Sequence, residues 1–271
     1  MIKNKTSMLF AAGALALSML ACNLGKGPRV EATQLPEEPS SAEENVPVTA
    51  APAEEVPAES ASGACDNPYQ PVITGASWNY KITGPVPDTF VRSILVVNEG
   101  GYTDQDVFGT GVTRESQWKC ESGNLTALNP SGGGSSSISA EGVSVNFQTT
   151  ELSGVTLPPT LTPGDHWEQV VTLEGTQEIG GSQVPARNHF TTTCDVIGIE
   201  SVTVEAGTFD AMRFDCVVVM NISLAMEGSP IETTLTLTNV NWHVENIGLV
   251  KTATTSDTFN STIELISYNI P

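Results

Sequence analysis

The chain has 271 residues and carries 31 acidic against 11 basic side chains, a formal charge of −20. A surface of that sign repels nucleic acid and anionic headgroups, which argues against any polyanionic partner.

The N-terminus reads Met1-Ile-Lys-Asn-Lys5, then an apolar run from Met8 to Leu20, then Ala21 and Cys22. A charged start, a short apolar centre and a small residue before a break form an export signal. The run falls short of the ~20 residues that span a bilayer. Met19-Leu20-Ala21-Cys22 resembles the lipobox of bacterial lipoproteins, with Met19 where Leu is usual. That resemblance implies removal of residues 1–21, acylation of Cys22 by palmitate-type chains, and a protein held on the outer face of a bacterial membrane. Two or three acyl chains on one residue supply the double signal that stable anchoring requires.

From Cys22 to Gly63 the chain is rich in Pro, Glu, Ala and Ser, with eight acidic residues, two basic ones and no aromatic ring. It cannot bury a core, so a disordered, self-repelling tether is expected over residues 22–63.

Residues 64–271 are long enough for one sizeable core. Short stretches of alternating apolar and polar residues, separated by Gly, Asn, Asp and Pro, predict an all-β domain. Strands are expected at Ser77–Thr83, Thr89–Asn98, Tyr102–Phe108, Thr113–Cys120, Asn124–Leu128 and Ile138–Gln148, with a hairpin turn at Asn98-Glu-Gly-Gly101. The loop Asn129–Ser137 is glycine-rich but lacks the Lys and the following helix of a phosphate-binding loop, so it reads as a linker. Leu157-Pro-Pro-Thr-Leu-Thr-Pro-Gly164 breaks any ladder, since each Pro lacks a donor. Further strands follow at His166–Gln177, Val184–Ile197, Ile231–Val244, Leu249–Thr255 and Ile263–Ile270, with a turn at Gly180-Gly181. Gly75-Ala-Ser-Trp78 and Gly164-Asp-His-Trp167 share a Gly-x-x-Trp lead-in to a strand.

The organising stretch is Val202–Phe214, with its arm reaching Leu224. Alternation runs up to the corner Val204-Glu-Ala-Gly207 and resumes at Phe209. A type I turn followed by a left-handed Gly207 predicts a three-residue hairpin loop with a bulge.

With Cys22 acylated, Cys65, Cys120, Cys194 and Cys216 remain, and four cysteines allow three pairings. Cys65 with Cys120 and Cys194 with Cys216 is preferred. An unbroken ladder from the turn would set Cys194 opposite Val218, so the second bridge needs a bulge or corner near Gly198. No two of the four stand at zinc-ligand spacing.

VTVEAGTF at Val202–Phe209, Trp242, Ile247-Gly-Leu-Val-Lys251 and a last strand ending at Tyr268 resemble the pattern of TapB-like exported domains of unknown function. Glu205 stands where that family often has Pro, a residue equally suited to the turn. Cys65-Asp-Asn-Pro-Tyr69 and Trp118-Lys-Cys120 resemble the front of bacterial surface lipoproteins. The resemblance implies a single curved antiparallel sheet, half-barrel or barrel-like, with Gly207 and Gly248 as structural turns and a concave apolar face. It carries no catalytic residues across. An apolar small molecule or lipid could sit in such a concavity, with Trp78, Trp118, Trp167 and Trp242 as either its platform or plain core.

Catalytic chemistry is not legible. His166, His189 and His243 are far apart in sequence and show no metal-ligand spacing. No nucleophile elbow occurs. Asp104 and Asp106 share a strand face, but the calcium-loop pattern breaks at Phe108, and they read as solvated charges. The expectation is a membrane-anchored, non-enzymatic binding module without metal or cofactor. A scaffold domain of the cell envelope and an enzyme whose site escapes sequence reading are the alternatives.

Overall fold

The computed structural model describes residues 63–129, 138–139, 145–179, 182–225 and 230–271. The signal segment, Cys22, nearly all of the tether, most of the Asn129–Ser137 loop and the Gly180-Gly181 turn lie outside them.

Among the described residues the secondary structure is all strand: β1 (Ser77–Thr83), β2 (Asp88–Asn98), β3 (Gly101–Phe108), β4 (Thr113–Glu121), β5 (Asn124–Ala127), β6 (Ile138–Ser139), β7 (Val145–Gly154), β8 (His166–Ile179), β9 (Ser182–Val204), β10 (Gly207–Leu224), β11 (Ile231–Val244), β12 (Gly248–Thr255) and β13 (Asn260–Asn269). They form one antiparallel sheet in the order β5-β4-β3-β2-β1-β13-β12-β11-β10-β9-β8-β7, with β6 beside β4. Two runs of neighbouring hairpins are thus joined by the pairing of β1 with β13, from Ser77 opposite Asn269 to Thr83 opposite Thr262.

The sheet curls until its outermost strands meet. Leu125 of β5 bridges Leu157 just beyond β7. The Ala127 amide donates to Thr156 Oγ1 at 2.8 Å, and Gln169 Nε2 donates to the Ala127 carbonyl at 3.5 Å. The result is a nearly closed barrel: all-β as the alternation predicts, and a single curved sheet as the resemblance implies. Trp78, Tyr80, Phe90, Ile94, Tyr102, Leu125, Phe214, Val250 and Leu265 are buried in one core.

Two local expectations are corrected. The expected strand Ile138–Gln148 is divided, because Ile138–Ser139 pairs with β4 whereas Val145–Gly154 pairs with β8. The organising hairpin closes on two residues, not three: Val204 pairs directly with Gly207 across Glu205-Ala206. Gly207 has φ 146°, a backbone that side chains resist, so glycine is needed there although the bulge sits elsewhere. It lies at Ile197: Gly198 pairs with Arg213 and Val196 with Phe214, leaving Ile197 unpaired and 52 % exposed. The hairpin tip then reaches β13, where the Ala206 amide donates to the Leu265 carbonyl at 3.1 Å.

One end of the barrel is closed by residues 63–76, which run as a strap over the β4–β5 and β11–β12 turns. Gly123 donates to the Ala64 carbonyl at 2.8 Å and Asn246 to that of Pro68 at 2.7 Å. Asn67 is the strap's fastening. Its Nδ2 faces the carbonyls of Gly123 (2.8 Å), Pro158 (3.1 Å) and Leu157 (3.4 Å), while its Oδ1 accepts from the Tyr69 amide at 2.9 Å. Cys65 is bonded to Cys120 beside it. Gly75 and Gly164 both take positive φ, 85° and 94°, before the Trp-bearing strands β1 and β8, so the shared Gly-x-x-Trp lead-in is a shared backbone geometry.

Candidate functional site

Inside the curled sheet is a cavity of ≈ 260 Å³. A second depression of ≈ 340 Å³ at the opposite end of β1–β3 is walled by Phe90, Phe108, Val91 and Val107 and holds no Asp, Glu, His, Lys or Arg. The lumen is therefore where chemistry gathers.

One wall is built from β2, β3 and β4. Strand pairing sets Arg92 opposite Asp106, and Asp106 opposite Arg114. Arg92 grips Asp106 through Nε (2.8 Å) and Nη2 (3.0 Å), and Arg114 Nη2 bonds the same carboxylate. Asp104, two residues along the same face, stands 3.9 Å from Arg92 Nε. Asp104 and Asp106 are 5 % and 3 % exposed, which corrects the expectation of solvated charges. Two arginines on neighbouring strands make their burial tolerable. Burial opposes the Asp106 charge, but the charges and hydrogen bonds of Arg92 and Arg114 outweigh it and bring its pKa down to about 2. At Asp104 burial wins over the attraction of Arg92, and the pKa is raised. Each guanidinium also lies over a ring, Arg92 on Phe90 and Arg114 on Phe108.

The facing wall includes β11, whose Asn239, Asn241 and His243 line the cavity. His243 is half-buried and its Nδ1 lies 3.0 Å from the Tyr69 carbonyl. A carbonyl only accepts, so Nδ1 carries the proton. Burial brings the pKa of His243 down to about 4 despite that bond, with Arg92 adding to the depression. The ring is neutral, and Nε2 keeps its lone pair. Asn241 is occupied, accepting from Thr252 Oγ1 at 3.1 Å. Asn239 Oδ1 is buried without a hydrogen-bond partner.

Apolar surface fills the rest. Tyr102 stacks on Trp118 with ring centroids 5.3 Å apart, and Phe214 lies 5.2 Å from both Trp167 and His243. The lumen is thus mixed where a purely apolar concavity was expected, because Arg92 of β2, Asp104 of β3 and Asn239, Asn241 and His243 of β11 line it among the apolar side chains.

The four tryptophans do not form one platform. Trp118 lines the cavity. Trp78 is 1 % exposed in the core and donates to the Ile247 carbonyl at 2.7 Å. Trp167 packs against that core. Trp242 lies on the outer face beneath Arg213 and Lys251, with Nε1 3.1 Å from Glu200 Oε2. The histidines are likewise apart: His166 pairs with Asp195 at 2.8 Å on the surface, and His189 Nδ1 meets Thr172 Oγ1 at 2.8 Å. Gly248 has φ 97° at the β11–β12 turn. Cys194 is bonded to Cys216, which completes the preferred pairing. Sequence reasoning missed Arg92, Arg114, Asn239 and Asn241. The signal for the last two was the Asn-x-Asn-x-His alternation at residues 239–243.

Residues 157–270 match the family model described as DUF3108-like. No curated protein matches the chain. Among solved structures, the chain is similar to a candidate lipoprotein of Parabacteroides distasonis ATCC 8503, at 18 % identity and TM-score 0.50, over 75 % of this chain and 99 % of that one. A candidate exported protein with a YmcC-like fold from Bacteroides fragilis NCTC 9343 aligns at 15 % identity and TM-score 0.47, over 77 % of this chain and 100 % of that one. At such identities the first likeness is one of fold.

Proposed function

We propose that this chain is an exported bacterial lipoprotein, anchored through an acylated Cys22, whose barrel is a non-enzymatic binding module for a small, partly apolar molecule. The observation that carries the reading is the lumen, ≈ 260 Å³ of space between the Tyr102–Trp118 stack and Phe214 with polar groups converging on it, the composition of a ligand site. The segment Met8–Cys22 supports export and lipidation, and the description of the Parabacteroides distasonis protein agrees with it. The non-catalytic reading rests on how the ionisable groups are disposed. Asp106 is held between two arginines, and the three histidines face separate partners.

Native mass spectrometry of the full chain from its own host tests the binding. A co-purifying small molecule is expected, and Val218→Trp, which fills the lumen, should abolish it. Protein free of any adduct, or an adduct indifferent to Val218→Trp, would return the domain to an envelope scaffold. Cys22→Ala should move the protein from the membrane to the aqueous fraction, and continued membrane association would remove the lipid anchor.

A further inference from the structure

The charges that line the lumen, Arg92 and Asp104, are matched, and behind them Arg92 and Arg114 close on Asp106, so that two arginines and two aspartates are arranged against each other. An ion entering this desolvated space would bring a charge with no free counter-charge to meet it, and a buried charge is costly unless paired. The walls therefore disfavour both a carboxylate and an ammonium head, although each sign of side chain is present.

On the β11 wall what is left open is hydrogen-bond acceptance, while across the cavity Trp118 Nε1 is a buried donor without a hydrogen-bond partner. Asn239 Oδ1 is buried and unpartnered, and an acceptor in that state loses the hydrogen bonds it would make in water. Two positions beyond Asn241 on the same strand face, His243 spends its proton on the Tyr69 carbonyl and offers a lone pair. Asn241, between them, is already satisfied by Thr252. The opposite side of the cavity is the Tyr102–Trp118 stack, suited to a flat or short apolar body. A cavity of ≈ 260 Å³ lies at the small end of ligand sites, below the roughly 300–1,000 Å³ of those for drug-sized molecules. A two-chain lipid does not fit such a space.

From these juxtapositions we infer that the lumen selects an uncharged molecule of single-ring or short-chain size whose hydroxyl or amide N–H donates to Asn239 on the β11 wall. This rests on the binding reading above and names the chemical class that reading leaves open.

The test uses the full chain, freed of co-purified material, and four probes of one shape at pH 7: phenol, anisole, benzoate and benzylamine, with binding read by saturation-transfer NMR and calorimetry. Phenol should bind at least about tenfold more tightly than either ion and about fivefold more tightly than anisole, which lacks the donor. Asn239→Leu should bring phenol to the level of anisole. Benzoate or benzylamine matching phenol would overturn the neutral-ligand inference while leaving binding intact, as would equal affinity for phenol and anisole. Should none of the four bind, the binding reading itself fails. The comparison among probes on the unaltered protein holds even where Asn239→Leu does not fold.

Discussion

Cys194 and Cys216 stand directly opposite each other on β9 and β10, with α-carbons 4.1 Å apart, because the ladder skips Ile197 on its way from the turn. Without that bulge the pairing of Val204 with Gly207 would carry Cys194 to Val217. The bond closes a separation of 22 residues, and the strap bond Cys65–Cys120 closes 55. Replacing both cysteines of a pair by Ala should cost about 3 kcal/mol for the first and about 4 kcal/mol for the second. Urea unfolding of each variant checks this, and an unmoved midpoint would mean the bond adds no stability.

Asp106 is the most consequential charge on the β2–β4 wall. Asp106→Asn leaves two partly buried guanidiniums without this carboxylate, only Arg92 keeping Asp104 nearby, and should destabilise the fold by about 3 kcal/mol. It should also change the acid response. The folded pKa of about 2 lies below the ordinary 3.8, so the stability this group contributes is whole above about pH 4 and disappears as pH falls through 2. That amounts to about 2 kcal/mol. Asp104 works in the opposite sense, since its raised pKa means that protonation relieves a burial cost. Unfolding curves between pH 5 and pH 2 should show a shallower acid loss in Asp106→Asn and a steeper one in Asp104→Asn.

His243 predicts a second window. Its pKa falls from 6.5 unfolded to about 4 folded, so between those values the unfolded chain binds more protons. Stability is complete above pH 6.5 and declines towards pH 4, by up to about 3 kcal/mol. His243→Asn should flatten this window, and an imidazole NMR titration of the folded protein should give a midpoint near 4. A midpoint near 6.5 would show that the ring is solvated.

Asn67→Ala removes the strap's fastening, three donor contacts and one acceptor contact. A loss of about 2 kcal/mol is expected. Hydrogen exchange should rise first at Tyr69 and Gly123, while β9 and β10 keep their protection. Uniform loss of protection would mean that the strap folds as one unit with the barrel.

Strand boundaries were largely legible because glycines, asparagines and prolines mark the corners. β1 and β11 run where the alternation places them. The lumen was not legible, and β11 shows why. A period of two gives two faces without saying which one points inward. Val240, Trp242 and Val244 form the apolar face, yet Asn239, Asn241 and His243 line the cavity, while Trp242 lies outside under two cations. On β3 the inward set is Tyr102, Asp104 and Asp106, with Val107 43 % exposed. Those aspartates are admissible inside only because Arg92 and Arg114 arrive in register from the flanking strands, a three-strand coincidence that no single segment encodes. The bulge at Ile197 is of the same kind: the preferred disulfide demanded one, but its residue appears only once β9 and β10 are paired.

The pairing of β1 with β13 has a consequence for the birth of the molecule. β1 and β13, the first and last strands among the described residues, are neighbours, with Ser77 against Asn269, a contact across roughly 190 residues whose closure is entropically slow. A chain made from its N-terminus must keep β1 half unzipped until the final strand emerges. Its bare margin is open to pairing with other chains throughout that delay. Truncation of even the last ten residues should therefore produce a sticky, aggregating product rather than a smaller barrel.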